Sequence, residues 1–203
     1  MAEALIKLPP PNLKGKASLE EAISWRRSVR RFRVESLSLM QLAQILWSAQ
    51  GITGTSGRRA VPSAGSTYPL EIFIITGEQT VVGLNAGIYH YEVNSHSLSL
   101  HLGGDLRQKL AGAALGEDFI ATSPVDLVIC ALYSRIAYRY SRRGERYVHM
   151  EIGHVGQNVS LQAVALGLST VMVGAFEDMD VRKILKVGEH ISPLYIIPVG
   201  KPG

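Results

Sequence analysis

Arginines in two short runs are the residues in this 203-residue chain whose types and spacing best suit binding chemistry. Arg26, Arg27, Arg30, Arg31 and Arg33 fall within eight residues, and Arg135, Arg139, Arg142, Arg143 and Arg146 within twelve. The first run, Arg26-Arg27-Ser28-Val29-Arg30-Arg31-Phe32, sets guanidinium forks beside a hydroxyl where the spacing predicts that a helix ends. Such a donor set can enclose a phosphate or carboxylate bidentately. Two other readings stay open. The arginines can complement the C-terminal dipole of that helix, or the stripe can meet nucleic acid, although no RNA-recognition signature, zinc finger or helix-turn-helix pattern accompanies it.

Residues 51–69, GITGTSGRRAVPSAGSTYP, form a second candidate. Gly51, Gly54 and Gly57 recur every three residues, but no Gly-Lys-Ser/Thr ending follows, and no strand precedes them as in a dinucleotide fingerprint. Nucleoside triphosphate binding is therefore unsupported. Pro62-Ser63-Ala64-Gly65-Ser66-Thr67-Tyr68-Pro69 is restricted by two prolines, and its small residues let backbone amides approach a flat ligand. Its plainer reading is a tight connection into the next strand. His149 and His154 lie five apart where a zinc-protease helix spaces its histidines by four, so no metal is expected. His154, Gln157 and Asn158 on an otherwise apolar helix read as a buried hydrogen-bond network. Cys130 is the single cysteine, and without a Gly-x-Ser-x-Gly elbow covalent hydrolysis lacks a nucleophile.

The elements that must position these groups follow from pattern. Ser18-Leu-Glu-Glu21 and Ser38-Leu-Met-Gln41 are capping boxes opening helices, the second ending near Gly51. Leu70–Thr76 reads as a strand, and Ile88–Val93 with Leu98, Leu100 and Leu102 as a hairpin. A helix over 105–115 precedes a strand over Val125–Tyr133, whose apolar run implies cover on both faces. A long helix spans about 145–166 with Gly167 beyond its end, followed by a strand at 169–174, a short helix at 181–185 and a last strand at 194–199. A 22.1 kDa chain with 46% hydrophobic and 19% charged residues is an ordinary globular composition, which argues against disorder and coiled coil. Its apolar stretches are too short for a membrane helix and no export signal is evident, so a cytoplasmic location is expected.

Taken together, RRSVRRF (26–32), PSAGSTYPLEIFII (62–75), GHVGQNVSLQAVALGLSTVMVGAF (153–176) and PVGKP (198–202) resemble the nitroreductase family of FMN-dependent oxidoreductases, and within it the SagB-type dehydrogenase branch. The resemblance implies an α+β sandwich, with a central, mostly antiparallel sheet flanked by helices, over residues 16–203 after an extension at 1–15. It also implies a homodimer with FMN in the interface. Arg26, Arg27, Ser28 and Arg30 match positions that hold the FMN phosphate and ribityl chain, and Lys201 matches a basic residue near the phosphate. Pro62, Ser63, Ala64, Gly65 and Ser66 match a segment reaching the flavin from the partner subunit, with Ser66 where many relatives carry Asn. Val173 and Gly174 match the stretch beside the ring, where many relatives have Glu-Gly and this chain has Gly174-Ala175.

The implied activity is hydride transfer through flavin, from NAD(P)H to a small organic acceptor such as a nitro compound or quinone, or oxidation of a small substrate. No side chain is assigned as nucleophile; Glu151, Tyr68 and Tyr140 are second-sphere candidates. The alternatives are a non-catalytic flavin-binding sensor or storage protein and a dehydrogenase of peptide azolines. Against the last stands Arg139-Tyr140, where azoline dehydrogenases carry Lys-Tyr, because arginine stays protonated and cannot act as a base.

Overall fold

A computed structural model describes residues 5–203. Helix α1 (Leu19–Trp25) opens on a complete capping box: Glu21 N–H donates to Ser18 Oγ at 3.1 Å, and Ser18 N–H donates to the Glu21 carboxylate at 2.8 Å. Ser38 and Gln41 repeat the device at the start of α2 (Leu39–Gln50). These reciprocal bonds satisfy donors that a helix start otherwise leaves unpaired. The central sheet then gathers β1 (Ile6–Lys7), β2 (Leu70–Thr76), β3 (Gly87–Glu92), β4 (Ser97–Gly103), β5 (Val125–Ala131), β6 (Ser169–Thr170) and β7 (Ser192–Gly200). Their order is β1-β4-β3-β2-β5-β7-β6, and every strand pair is antiparallel.

Strand parity divides the core in two. On β2 and β5, Leu70, Ile72, Ile74, Val125, Leu127 and Ile129 face α2 and α6 (Arg143–Ala165). Phe73, Ile75, Val128 and Cys130 face the other layer, made by α3 (Arg107–Ala113), α4 (Asp118–Thr122) and α7 (Asp178–Leu185). All seven residues of β5 are buried, which is why that strand reads as a continuous apolar run. Helix α6 presents the expected stripe, Val148, Ile152, Val155 and Val159, and Gly167 follows its end at φ +70°.

Two helices have no counterpart in the sequence pattern. Helix α4 has five residues, and α5 (Ser134–Tyr140) buries only Ile136, so neither is long enough to show a helical period. Helix α5 also ends the preceding strand at Ala131 rather than Tyr133. The strand expected over 169–174 is two residues, with Val173 rejoining Ile196 through a separate bridge. Within the stretch expected as an extension, Ile6–Lys7 pair with β4 and Leu8 is buried in the core, so this stretch is tied to the sheet. Among the described residues no helix is long and apolar enough to cross a membrane.

Candidate functional site

The chain leaving α1 lies beside the last strands: Val29 N–H donates to Thr170 O at 3.0 Å, and Ser28 bridges Thr170 in parallel. This placement opens a cleft of about 220 Å³ between that segment, α6 and β7. Arg26 and Ser28 bring a cation and a hydroxyl to it, Gln157 an amide and Tyr195 a phenol ring. Its floor depends on Gly156, where a Cβ atom would stand 3.0 Å from Met172 Sδ and 3.4 Å from the Tyr195 ring. Gly174 meets the same ring, its virtual Cβ 3.6 Å from Tyr195 Cε1, and Val173 is buried beside it.

The remaining arginines divide by contact. Arg27 Nη1 donates to the Ser24 and Arg26 carbonyls at 2.9 and 2.8 Å, which is the helix-end role. Arg30 is exposed, and neither it nor Arg26 has an acidic partner among the described residues. Lys201 is not among the residues that line the cleft, and it pairs with Glu35, whose carboxyl its hydrogen bond holds below the ordinary range. In the second run, Arg135 pairs with Glu71 and donates to Tyr68 O at 3.1 Å, while Arg139 donates to Gly65 O at 3.2 Å.

Those contacts fix the 62–66 segment. Pro62 is exposed, and Tyr68 N–H donates to Ser63 Oγ at 2.9 Å. Ala64–Ser66 forms a single 3₁₀ turn with Gly65 at φ +60°. A Cβ on Gly65 would come within 2.9 Å of Tyr140 Oη, a side-chain end that could shift, so it is the positive φ that favours glycine there. None of these residues lines the cleft of the same chain. The structure thus brings Arg26 and Ser28 into one cleft close to Val173 and Gly174, and sets Pro62, Ser63, Ala64, Gly65 and Ser66 in a separate loop against α5.

Sequence reasoning missed Gln157 and Tyr195 as cleft residues. Gln157 and His154 are exposed, and only Asn158 joins a polar network, donating to Ser48 O at 3.1 Å. Gly156 in a helix interior was the available signal, since such a glycine usually marks a close approach. No cluster of three or more His, Cys, Asp or Glu among the described residues is arranged to hold a metal.

The model of the nitroreductase family matches residues 23–201. The chain belongs to the nitroreductase family. It is 48% identical over 183 residues to "Putative nitroreductase MJ1384" of Methanocaldococcus jannaschii, covering 90% of each chain. It is 28% identical over 155 residues to the microcin B17-processing protein McbC of Escherichia coli, which carries the SagB-type resemblance; the match covers 70% of this chain and 53% of McbC. The crystal structure of a "putative nitroreductase" from Ralstonia eutropha superposes with a TM-score of 0.85 at 26% identity, over 98% of this chain and 90% of that one. The α+β nitroreductase architecture expected from sequence is therefore the observed one.

Outside the cleft, the chain carries a charged run of side chains across the sheet. His90 Nε2 meets Glu71 at 2.6 Å and Nδ1 meets Glu92 at 2.8 Å. Burial pulls the imidazole down, but the two carboxylates outweigh it and hold its pKa above the ordinary 6.5. Burial likewise pushes Glu71 and Glu92 up, and His90, helped by Arg135 at Glu71 and by Ser99 at Glu92, carries both below 4.5. The signs follow by linkage. The His90 contribution is complete below its unfolded value and fades as pH rises through the folded one; the carboxylate contributions are complete above about 4.5 and fade as pH falls. Urea midpoints are expected to be higher near pH 5.5 than near pH 8, roughly inside that window. His90→Gln should shrink the difference, and an equal difference in the variant would refute the assignment.

Proposed function

We propose that the chain is an FMN-dependent oxidoreductase that passes reducing equivalents from NAD(P)H to a small organic acceptor such as a nitro compound or quinone. The observation that carries this reading is the cleft, where a cation and a hydroxyl meet a floor that any Cβ at position 156 would fill. A phosphate monoester needs charge-assisted donors, which Arg26, Ser28 and the nearby Arg30 supply. A planar ring needs a flat space beside small residues, which Gly156 and Gly174 leave next to Tyr195. When bound, FMN supplies two-electron hydride chemistry. The chain's own work is to hold the phosphate, keep the ring against α6 and β7, and limit water around it.

The 62–66 loop does not line the cleft of its own chain, and it accepts hydrogen bonds from Arg139 and from the Tyr68 N–H. This arrangement supports a homodimer in which each copy's loop completes the other's flavin site. Arg139 serves as a backbone tie, and a guanidinium does not accept a proton, which favours a small acceptor over peptide azolines. Purified protein is expected to be yellow, to elute as a dimer, and to bleach under anaerobic NADH or NADPH, with colour returning on addition of a quinone. Colourless protein that FMN does not reconstitute would refute the reading. Bound flavin that no donor reduces would convert it to a binding protein.

A further inference from the structure

Gly153, Gly156 and Ser160, three of the four residues that α6 gives the cleft, stand at intervals of three and four. That spacing is one face of a helix. The stripe has a direction. Ser160 lies at the cation end, its Oγ 3.3 Å from Thr170 Oγ1, and Ser28 bridges the same threonine. Gly153 lies at the other end, with no atom within 4 Å of where its Cβ would stand. One turn earlier on α6 the same stripe reaches His149, about 6 Å along the axis from Gly153.

His149 has a partner there. Its Nε2 lies 3.0 Å from Tyr133 Oη, and the two rings meet edge to face with centroids 6.2 Å apart. The bond is exposed, so burial does not require it. Tyr133 also borders a hollow of about 590 Å³ at the corner of α5 and α6, where Ile136 and Ala137 are apolar and Arg142 and Glu145 carry opposite charges. A flat, uncharged organic molecule suits such a lining. The pair thus joins the open end of the cleft to the hollow.

Reduction of a quinone to a hydroquinone takes a hydride, which reduced flavin supplies, and one further proton on the oxygen left negative. A protonated His149 donates its Nε2–H to Tyr133 Oη, which frees the Tyr133 O–H for that oxygen. As the phenol gives its proton to form the hydroquinone O–H, the Nε2–H bond breaks and restores the phenol, leaving a neutral imidazole. Burial, followed by the charges of Glu145 and Asp178, pushes the Tyr133 pKa above the ordinary 10, so the relay group stays a phenol. The charged groups around the pair are Glu145 and Arg146 one turn earlier on α6, Arg142 at the start of that helix and Asp178 at the start of α7.

We propose that Tyr133 and His149 form the proton donor to the acceptor of this site, and that the acceptor is a flat quinone-type molecule seated in the hollow between α5 and α6. The inference rests on the FMN reading above, but the bond between the two side chains can be tested without it.

The His149 ring proton on Cε1, assigned by its absence in His149→Gln, is followed by NMR against pH in the chain as purified. Its titration should move to lower pH in Tyr133→Phe, because the phenol oxygen accepts from the charged imidazole; no movement, or movement upward, overturns the proposal. Protein reduced anaerobically with dithionite is then mixed with menadione, and flavin reoxidation is followed by absorbance. The wild-type rate should fall as pH rises and His149 loses its proton. At about pH 6, His149→Gln and Tyr133→Phe should each be roughly 100-fold slower, the low end of what a general acid contributes, and neither should vary with pH. Ferricyanide takes electrons without a proton and should oxidise all three forms equally. Ala137→Trp, which fills the hollow from an exposed position, should raise the menadione concentration for half-maximal rate and leave ferricyanide unaffected. Equal menadione rates in wild type and the two donor variants, an equal loss with ferricyanide, or an unchanged half-maximal concentration in Ala137→Trp overturns this proposal alone. A chain that takes up no FMN overturns the function proposed above and this step with it.

Discussion

Ile129→Ala is expected to remove about 2–5 kcal/mol of folding stability, the range for truncating a buried aliphatic side chain to alanine. Ile129 sits on β5, the strand paired to β2 on one side and β7 on the other, opposite Ile72 and Tyr195. It has no exposed surface and packs into the layer beneath α2 and α6. Its neighbours hang from hydrogen-bonded strands and cannot close the cavity, so most of the contact loss persists. Against a total of about 5–15 kcal/mol for a domain, the variant should unfold at much lower urea with an unchanged slope. Leu100→Ala, at a position 42% exposed on β4, is the control and should stay within about 0.5 kcal/mol. Equal midpoints for Ile129→Ala and wild type would mean that the sheet is not the centre of the core.

Arg26→Ala should weaken FMN binding by about 10- to 150-fold, corresponding to roughly 1.5–3 kcal/mol for a hydrogen bond to a charged group. Arg27→Ala should do much less, although the two arginines are adjacent and chemically identical. Arg26 lines the cleft, whereas Arg27 is engaged by the carbonyls of Ser24 and Arg26. The loss at Arg26 should shrink as salt rises, because a partly exposed ion pair is screened. Titration of apo protein with FMN for the two variants decides the matter. Equal losses at both positions would show that the arginine run acts as a diffuse field rather than as a site.

The second arginine run shows how contacts divide residues that sequence treats alike. Arg135 and Arg139 hold the 62–68 loop through Tyr68 O and Gly65 O. Arg142, Arg143 and Arg146 have no acidic partner among the described residues. Nothing in composition distinguishes the two groups, because the distinction is made by partners more than sixty residues away in the chain. Asp126 gives the same lesson. It is fully buried on β5, accepts from Ser123 Oγ at 2.7 Å, and is driven by burial well above its ordinary carboxyl range. Within the strand pattern it is a single polar interruption.

By itself, the sequence determined the local features: both capping boxes, the strand at 70–76, the strand beginning at Val125 though not its end, the stripe of α6 and the glycine beyond its end. Each depends on residues within a few positions of one another, where period and cap chemistry act directly. The order of family motifs along the chain likewise determined the fold class. The short helices α4 and α5, the strand at Ile6–Lys7 and the cleft residues Gln157 and Tyr195 were decided by tertiary structure alone. Their burial and pairing are supplied by distant segments, and a helix of five residues or a strand of two has no pattern to read. The same holds for chemistry: arginine supplies a charge anywhere, but whether it binds a ligand, ends a helix or ties a loop depends on which carbonyl or carboxylate the fold places in reach.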